Sequence, residues 1–188
     1  MGTRGAWGFV LNGSERLTYN HFDSYPSGLG IDLLAWARQA DWDKVREQVM
    51  NMTIVDEDGT PTEDEREQVA EYTDTHVSTG SDWYSALRHT QGDPEKTLRS
   101  GFMTDGSAFP LDSLFCEYAY VFNLDDGTFE VYQGFQKTRP TCGRWAGRPT
   151  PEEEREPEYK AVRLWEVWPL HDLPTQEQFT ERLIGDSE

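Results

Sequence analysis

Lysine and cysteine are scarce in this chain, and no stretch of it is continuously apolar. Four lysines, Lys44, Lys96, Lys137 and Lys160, occur in 188 residues, and 17 basic residues stand against 35 acidic ones, a formal charge of −18. A field of that sign repels phosphate backbones and anionic lipid, so direct binding to duplex nucleic acid is not expected. The two cysteines, Cys116 and Cys142, lack CxxC spacing, and no apolar run reaches membrane-spanning length or resembles a signal segment. A cytoplasmic protein without membrane contact is the expectation. Met1-Gly2 opens like an acylation signal, but position 6 is Ala where Ser or Thr is needed.

Motifs for metal and nucleotide chemistry are also missing. His21, His76, His89 and His171 are dispersed, without HxxxH or HExxH spacing, and there is no Walker A sequence. The Asp125-Asp126-Gly127 run is too short for a calcium loop and is explained by hairpin chemistry. No metal and no cofactor is therefore expected.

What the chain does have is aromatic bulk: 13% of residues, seven of them Trp, at a mean hydropathy of −0.78. Such a chain packs large anchors beneath a charged surface, and residues 1–188 fit one domain. Asn12-Gly13 between two strand-like runs predicts an opening hairpin with a type I′ turn. Pro26-Ser27-Gly28 predicts a turn with Pro at its second position. Helices are expected over residues 31–38, from an Asp41 cap onward, from a Thr60 cap to about residue 79, from a Ser81 cap to 88, and after the Thr175/Gln178 capping box.

Alternating apolar residues across 113–136 predict a second hairpin, placed centrally, and residues 159–168 another strand. Residues 138–157, rich in Pro, Gly, Arg and Glu, read as a long exposed loop. Arg139, Arg144 and Arg148 precede an acidic run there, a charge asymmetry suited to an interaction surface. The order of elements predicts an α+β fold, a mainly antiparallel sheet covered by helices.

The densest cluster of chemistry is YNHFDSYPSGLG, residues 19–30. One reading is catalytic, with His21 as base, Asp23 as orienter and Ser24 or Thr3 as nucleophile; it requires the chain to turn sharply at Asp23, because strand alternation otherwise separates these groups. A second reading is binding: Arg4 grips a carboxylate or phosphate while Asn20, His21, Asp23 and Tyr25 supply hydrogen bonds, with Arg144 contributing from the long loop. A third is local: Asp23 bonds the Tyr25 amide in an Asx turn, and Arg4 pairs with Asp23 or another acid.

The opening MGTRGAWGF…YNHFDSYPSGLG, with SLFCEYAYVFNLDDGTFEVYQGFQ and the ending VRLWEVWPLHDLPTQEQF, resembles a family of uncharacterised proteins of bacteriophages and bacteria. That resemblance implies an accessory protein, in the host cytoplasm if phage-encoded, but no established activity. The order hairpin, helices, then sheet is also similar to the N-terminal nucleophile hydrolases, which implies a layered sandwich. Their mechanism needs a terminal Cys, Ser or Thr. Here removal of Met1 exposes Gly2, and Thr3 becomes terminal only after a further cleavage. The expectation is thus a non-catalytic accessory protein that binds a host protein, such as a defence or regulatory factor, or a small ligand. The alternative is a small amide or ester hydrolase using the Thr3/His21/Asp23/Ser24 corner.

Overall fold

The two turn signals fall where the chain reverses. In the structure, a computed structural model describing residues 2–148 and 158–184, strands β1 (Gly5–Leu11) and β2 (Ser14–Asn20) are joined by Asn12 at φ 53° and Gly13 at φ 70°. Both residues tolerate the left-handed region that a type I′ turn demands. After the corner come α1 (Ile31–Ala37) and α2 (Trp42–Asn51), the latter capped by the Asp41 carboxylate accepting from the Lys44 N–H at 3.2 Å. Then follow β3 (Thr53–Val55), α3 (Glu63–Val69), α4 (Trp83–Ala86), α5 (Pro94–Ser100) and β4 (Phe102–Thr104). The chain returns through β5 (Tyr118–Asn123), β6 (Thr128–Gln133) and β7 (Arg163–Pro169), and α6 (Gln176–Ile184) follows the expected box: the Thr175 N–H donates to Gln178 at 2.9 Å, and the Gln178 N–H to Thr175 at 3.2 Å.

The strands form a five-stranded sheet in the order β2-β1-β5-β6-β7 and a separate β3-β4 ribbon. Three of the four pairings in the large sheet are antiparallel; β1 and β5 run parallel, Gly5 opposite Tyr118 and Val10 opposite Asn123. The α+β class and the central second hairpin follow the sequence expectation. The three-residue strands β3 and β4 do not announce themselves, being too short to show a period.

Strand alternation sorts the core into two faces. Trp7, Phe9 and Leu11 of β1 join Tyr120 and Phe122 of β5, Phe129 and Val131 of β6, and the inner faces of α1, α2 and α6. Phe122 and Phe129 stack at 4.7 Å between ring centroids, and Phe129 lies 6.2 Å from Phe179 of α6. On the opposite face Ala6, Val10, Leu17, Ala119, Val121 and Tyr132 meet Cys116, Trp145, Ala161 and Val162.

Several helix limits differ from expectation. The motif TPTEDE holds two overlapping capping frames, and the one used is Thr62 with Glu65: the Thr62 N–H donates to the Glu65 carboxylate at 2.8 Å, and the Glu65 N–H to the Thr62 hydroxyl at 3.4 Å. This frame leaves Pro61 outside the helix. Nor does α3 run to residue 79; after one 3-10 turn over Ala70–Tyr72 the chain leaves, with the Thr73 hydroxyl donating to the Val69 and Ala86 carbonyls at 3.3 and 3.2 Å. Consequently His76 is exposed. The fourth helix is capped by Asp82, not Ser81. Asp82 is buried and accepts from the Ser85 N–H at 2.8 Å, the Ser85 hydroxyl at 2.6 Å, the Thr79 hydroxyl at 3.0 Å and the Ser78 hydroxyl, which holds its carboxyl far below the usual range despite burial.

Gly8 marks the tightest backbone approach in β1. A Cβ there would lie 2.0 Å from the Arg16 carbonyl oxygen of β2, a backbone atom that cannot swing aside. Gly8→Ala is expected to lower stability by ~2–3 kcal/mol, as overpacking does in a filled core, read as a fall in the urea midpoint; an unchanged midpoint would refute this packing.

Candidate functional site

The strand register gathers the candidate residues at one end of the sheet. Gly5 starts β1 opposite Asn20, the last residue of β2, and opposite Tyr118, the first of β5; Gln133, the last of β6, lies opposite Tyr118 and Arg163. Just beyond these termini lie Thr3, Arg4, residues 21–25, Leu114, Phe115 and Phe135. Together they make a rim.

The corner after β2 is built from its own polar groups. Asp23 sits at φ 53°, so the chain does turn sharply there. The Ser24 N–H donates to the Thr3 carbonyl at 3.1 Å, and the Leu29 N–H to the Asp23 carbonyl at 2.8 Å. The Gly28 N–H donates to the Tyr25 carbonyl at 2.9 Å, which closes the expected turn over Pro26. Asn20, buried, donates to the Ser24 hydroxyl at 2.9 Å and the Phe22 carbonyl at 2.5 Å, while the Tyr120 hydroxyl donates to the Ser24 carbonyl at 2.8 Å. Ser24 itself is 0% exposed.

The catalytic grouping is not assembled. His21 Nδ1 lies 2.7 Å from the Tyr19 hydroxyl, and His21 hydrogen-bonds neither Ser24 nor Thr3. A hydroxyl enclosed by Asn20 and without a base partner lacks the first requirement of a nucleophile. The Asx turn is absent too: the Asp23 carboxylate has no partner among the described residues, and it is the backbone of Asp23 that makes the turn.

Arg4 departs from the ion pair expected of it. Its backbone N–H donates to Glu117 Oε1 at 3.2 Å, and its guanidinium, with no carboxylate partner among the described residues, lies 5.8 Å over the Phe115 ring. From the far side Arg88, in the 3-10 turn after α4, lies over Phe22 at 5.6 Å and Tyr84 at 5.7 Å and donates to Gln91 at 2.6 Å, again with no carboxylate partner. The His21 ring packs edge-on against Phe22, with 4.3 Å between centroids. Burial, then Arg88 and Arg4, push its pKa below the ordinary value, since all three disfavour the imidazolium. Burial raises Tyr19, so its hydroxyl keeps its proton.

Sequence reasoning missed Arg88, Phe22 and Phe115 as members of this site. Phe22 and Phe115 share one feature, a large ring just outside a strand of the large sheet, where no core awaits it. Phe22, Phe115 and Phe135 are 52%, 47% and 53% exposed.

Arg144 is elsewhere and is occupied. Only 13% of its side chain is exposed; it donates to both Glu130 oxygens at 3.0 and 3.2 Å and lies 3.6 Å from Glu15, which Arg148 also grips at 2.5 and 3.0 Å. The neighbouring Trp145 is buried against Tyr132. Residues 138–143 of the expected loop are largely exposed, but residues 144–148 are pinned to the sheet, because Arg144 and Arg148 neutralise Glu130 and Glu15 on β6 and β2. Residues 149–157 lie outside the described residues.

Two clefts border the corner. One, about 530 Å³, is lined by Asn20, Phe22, Asp23, Tyr25, Arg88 and His89 among others. A larger one, about 800 Å³, runs between α1, α2 and α5 past Trp36, Lys44 and Glu95, and the two share Asp32 and Gly92. Among the described residues no group of His, Cys, Asp and Glu could hold a metal ion, and no helix is long and apolar enough to cross a membrane. Comparison with known proteins finds no matching family model, no matching curated protein and no matching solved structure. The geometry of the rim therefore carries the functional reading alone.

Two outcomes check these assignments. Arg144→Met strands the buried Glu130 charge and is expected to cost ~3 kcal/mol, measured by urea unfolding; a neutral effect would return Arg144 to the surface. His21 is expected to titrate below its ordinary value of about 6.5, and Arg88→Gln, by removing a nearby positive charge, to move that midpoint upward. Histidine NMR reads both, and an unmoved midpoint would separate Arg88 from His21.

Proposed function

We propose that this chain is a non-catalytic accessory protein, of the phage or bacterial kind its sequence resembles, which binds another protein through the rim at the end of the sheet. The observation that supports this reading is where apolar surface lies. Of nine exposed large apolar or aromatic side chains among the described residues, five (Phe22, Tyr25, Leu114, Phe115 and Phe135) flank the same strand ends. Aromatic side chains interleaved with arginine are the composition of protein-binding hot spots, and apolar patches of this kind on a soluble surface mark interaction sites.

The local charge favours the same reading. The rim carries Arg4 and Arg88 without carboxylate partners among the described residues, alongside the unpaired Asp23, so it is less acidic than a chain of net charge −18 would suggest. A complementary partner offers apolar side chains together with an acidic group. Any layering shared with N-terminal nucleophile hydrolases bears on architecture alone, since fold does not carry chemistry.

The experiment is affinity capture from lysate of the organism that encodes the chain, followed by native mass spectrometry, comparing wild type with Phe22→Ser/Phe115→Ser. Both side chains are about half exposed, so the variant is expected to melt with the wild type. A protein captured by the wild type and lost by the variant supports the rim as the interface. Capture of the same protein by both places the interface elsewhere and overturns the proposal.

A further inference from the structure

Asn20 closes β2 with one half of its side-chain amide engaged and the other half open. Its Nδ2 donates to the Phe22 carbonyl at 2.5 Å and to the Ser24 hydroxyl at 2.9 Å, and because the Phe22 oxygen can only accept, the amide has a single orientation. The amide oxygen therefore points the other way, and it receives no donor among the described residues. Yet Asn20 is only 5% exposed. A buried acceptor left bare is costly, and this one borders the cleft of about 530 Å³ beside the corner.

The cleft stays open at that atom because residue 92 is glycine. Gly92 sits at φ 73°, and a Cβ on it would stand 3.1 Å from Asn20 Oδ1 and 3.4 Å from Leu29 Cδ1, filling the space beside the bare oxygen. Two carboxylates, Asp23 and Asp32, line the same cleft and likewise have no partner among the described residues. Asp74 lines it too but accepts from the His76 N–H at 2.9 Å. Arg88, in the same wall, satisfies none of them: it lies over Phe22 and Tyr84 and donates to Gln91 at 2.6 Å. With Asn20 included, four acceptor groups thus face Arg88 and His89, and acceptors are in excess even when His89 is protonated.

Resting on the reading of the rim as a binding surface, we infer that this cleft takes an arginine side chain of the bound partner. Phe22 and Tyr25 belong to both rim and cleft, so a residue next to the partner's apolar contacts reaches it. A guanidinium brings five N–H donors in one plane, enough for an amide oxygen and two carboxylates, and its flat faces suit aromatic walls. Charge-assisted bonds of this kind are the strong ones. The partner then offers both signs, an acid toward Arg4 and a base toward Asn20, Asp23 and Asp32.

The test titrates the whole chain with N-acetyl-argininamide, and separately with its uncharged isostere N-acetyl-citrullinamide, at constant ionic strength. NMR follows the Asn20 side-chain amide and the backbone amides of residues 20–23, 32 and 91–92. The expected result is a saturable shift with the arginine probe alone, weakened about tenfold in Asp23→Asn and in Asp32→Asn, as loss of one charged hydrogen bond predicts. Asparagine tolerates the left-handed backbone of residue 23, and Asp32 is exposed on α1, so both variants are expected to melt with the wild type. Shifts that do not saturate, that the citrulline probe reproduces equally, or that persist unchanged in the variants overturn the site. Capture lost in Phe22→Ser/Phe115→Ser, with no saturation by the arginine probe, overturns the site and leaves the rim standing. Saturation with capture unchanged overturns the rim and leaves the cleft an arginine site.

Discussion

The parallel pairing of β1 with β5 is the constraint on which the rest of the structure depends. It joins two hairpins that are each local in sequence, and roughly a hundred residues must cross between them, carrying α1 to α5. Parallel neighbours require such a crossover, and a strand with neighbours on both sides and cores on both faces must be apolar throughout. All seven residues of β1 are buried accordingly. Because the pairing aligns Gly5 with Tyr118, it also decides which loops share an end of the sheet. Residues 3–4, 21–25 and 114–115 are neighbours for that reason alone.

Around this frame the acidic residues fall into two populations. Most are solvated, but a few are spent on structure. The Asp125 carboxylate accepts from the Asn12 and Gly13 N–H groups at 2.7 and 2.8 Å, tying the first hairpin turn to the second. Asp82 gathers the hydroxyls of Ser78, Thr79 and Ser85, and Glu130 with Glu15 fastens the 144–148 segment across the sheet. Burial of a carboxylate costs heavily unless donors meet it. The arginines of the Trp145 segment meet that demand, whereas those of the rim do not take part in it.

What was legible in the sequence was local. Asn12-Gly13, the Asp41 cap and the Thr175/Gln178 box each need only neighbours within four residues, and each appears as read. The failures are of two kinds. Where one local pattern repeats in overlapping frames, as in TPTEDE, propensity alone does not choose between Thr60 and Thr62. Where a residue's partner is distant, composition misleads: Arg144 looks like a loop cation until Glu130 and Glu15 are brought beneath it. The corner was found but its partners were not, since Arg88 is 67 positions from His21 and reaches it only through the tertiary path of α4.

The net charge of −18 also sets how this chain meets other molecules. At low ionic strength, with a Debye length of about 30 Å, an acidic neighbour senses the chain as a whole and is repelled. In physiological salt that length falls to about 8 Å, and charges close to the point of contact decide the encounter. At the Gly5 and Tyr118 end these include Arg4 and Arg88, so salt makes this end of the sheet less repulsive to an acidic surface than the total charge implies.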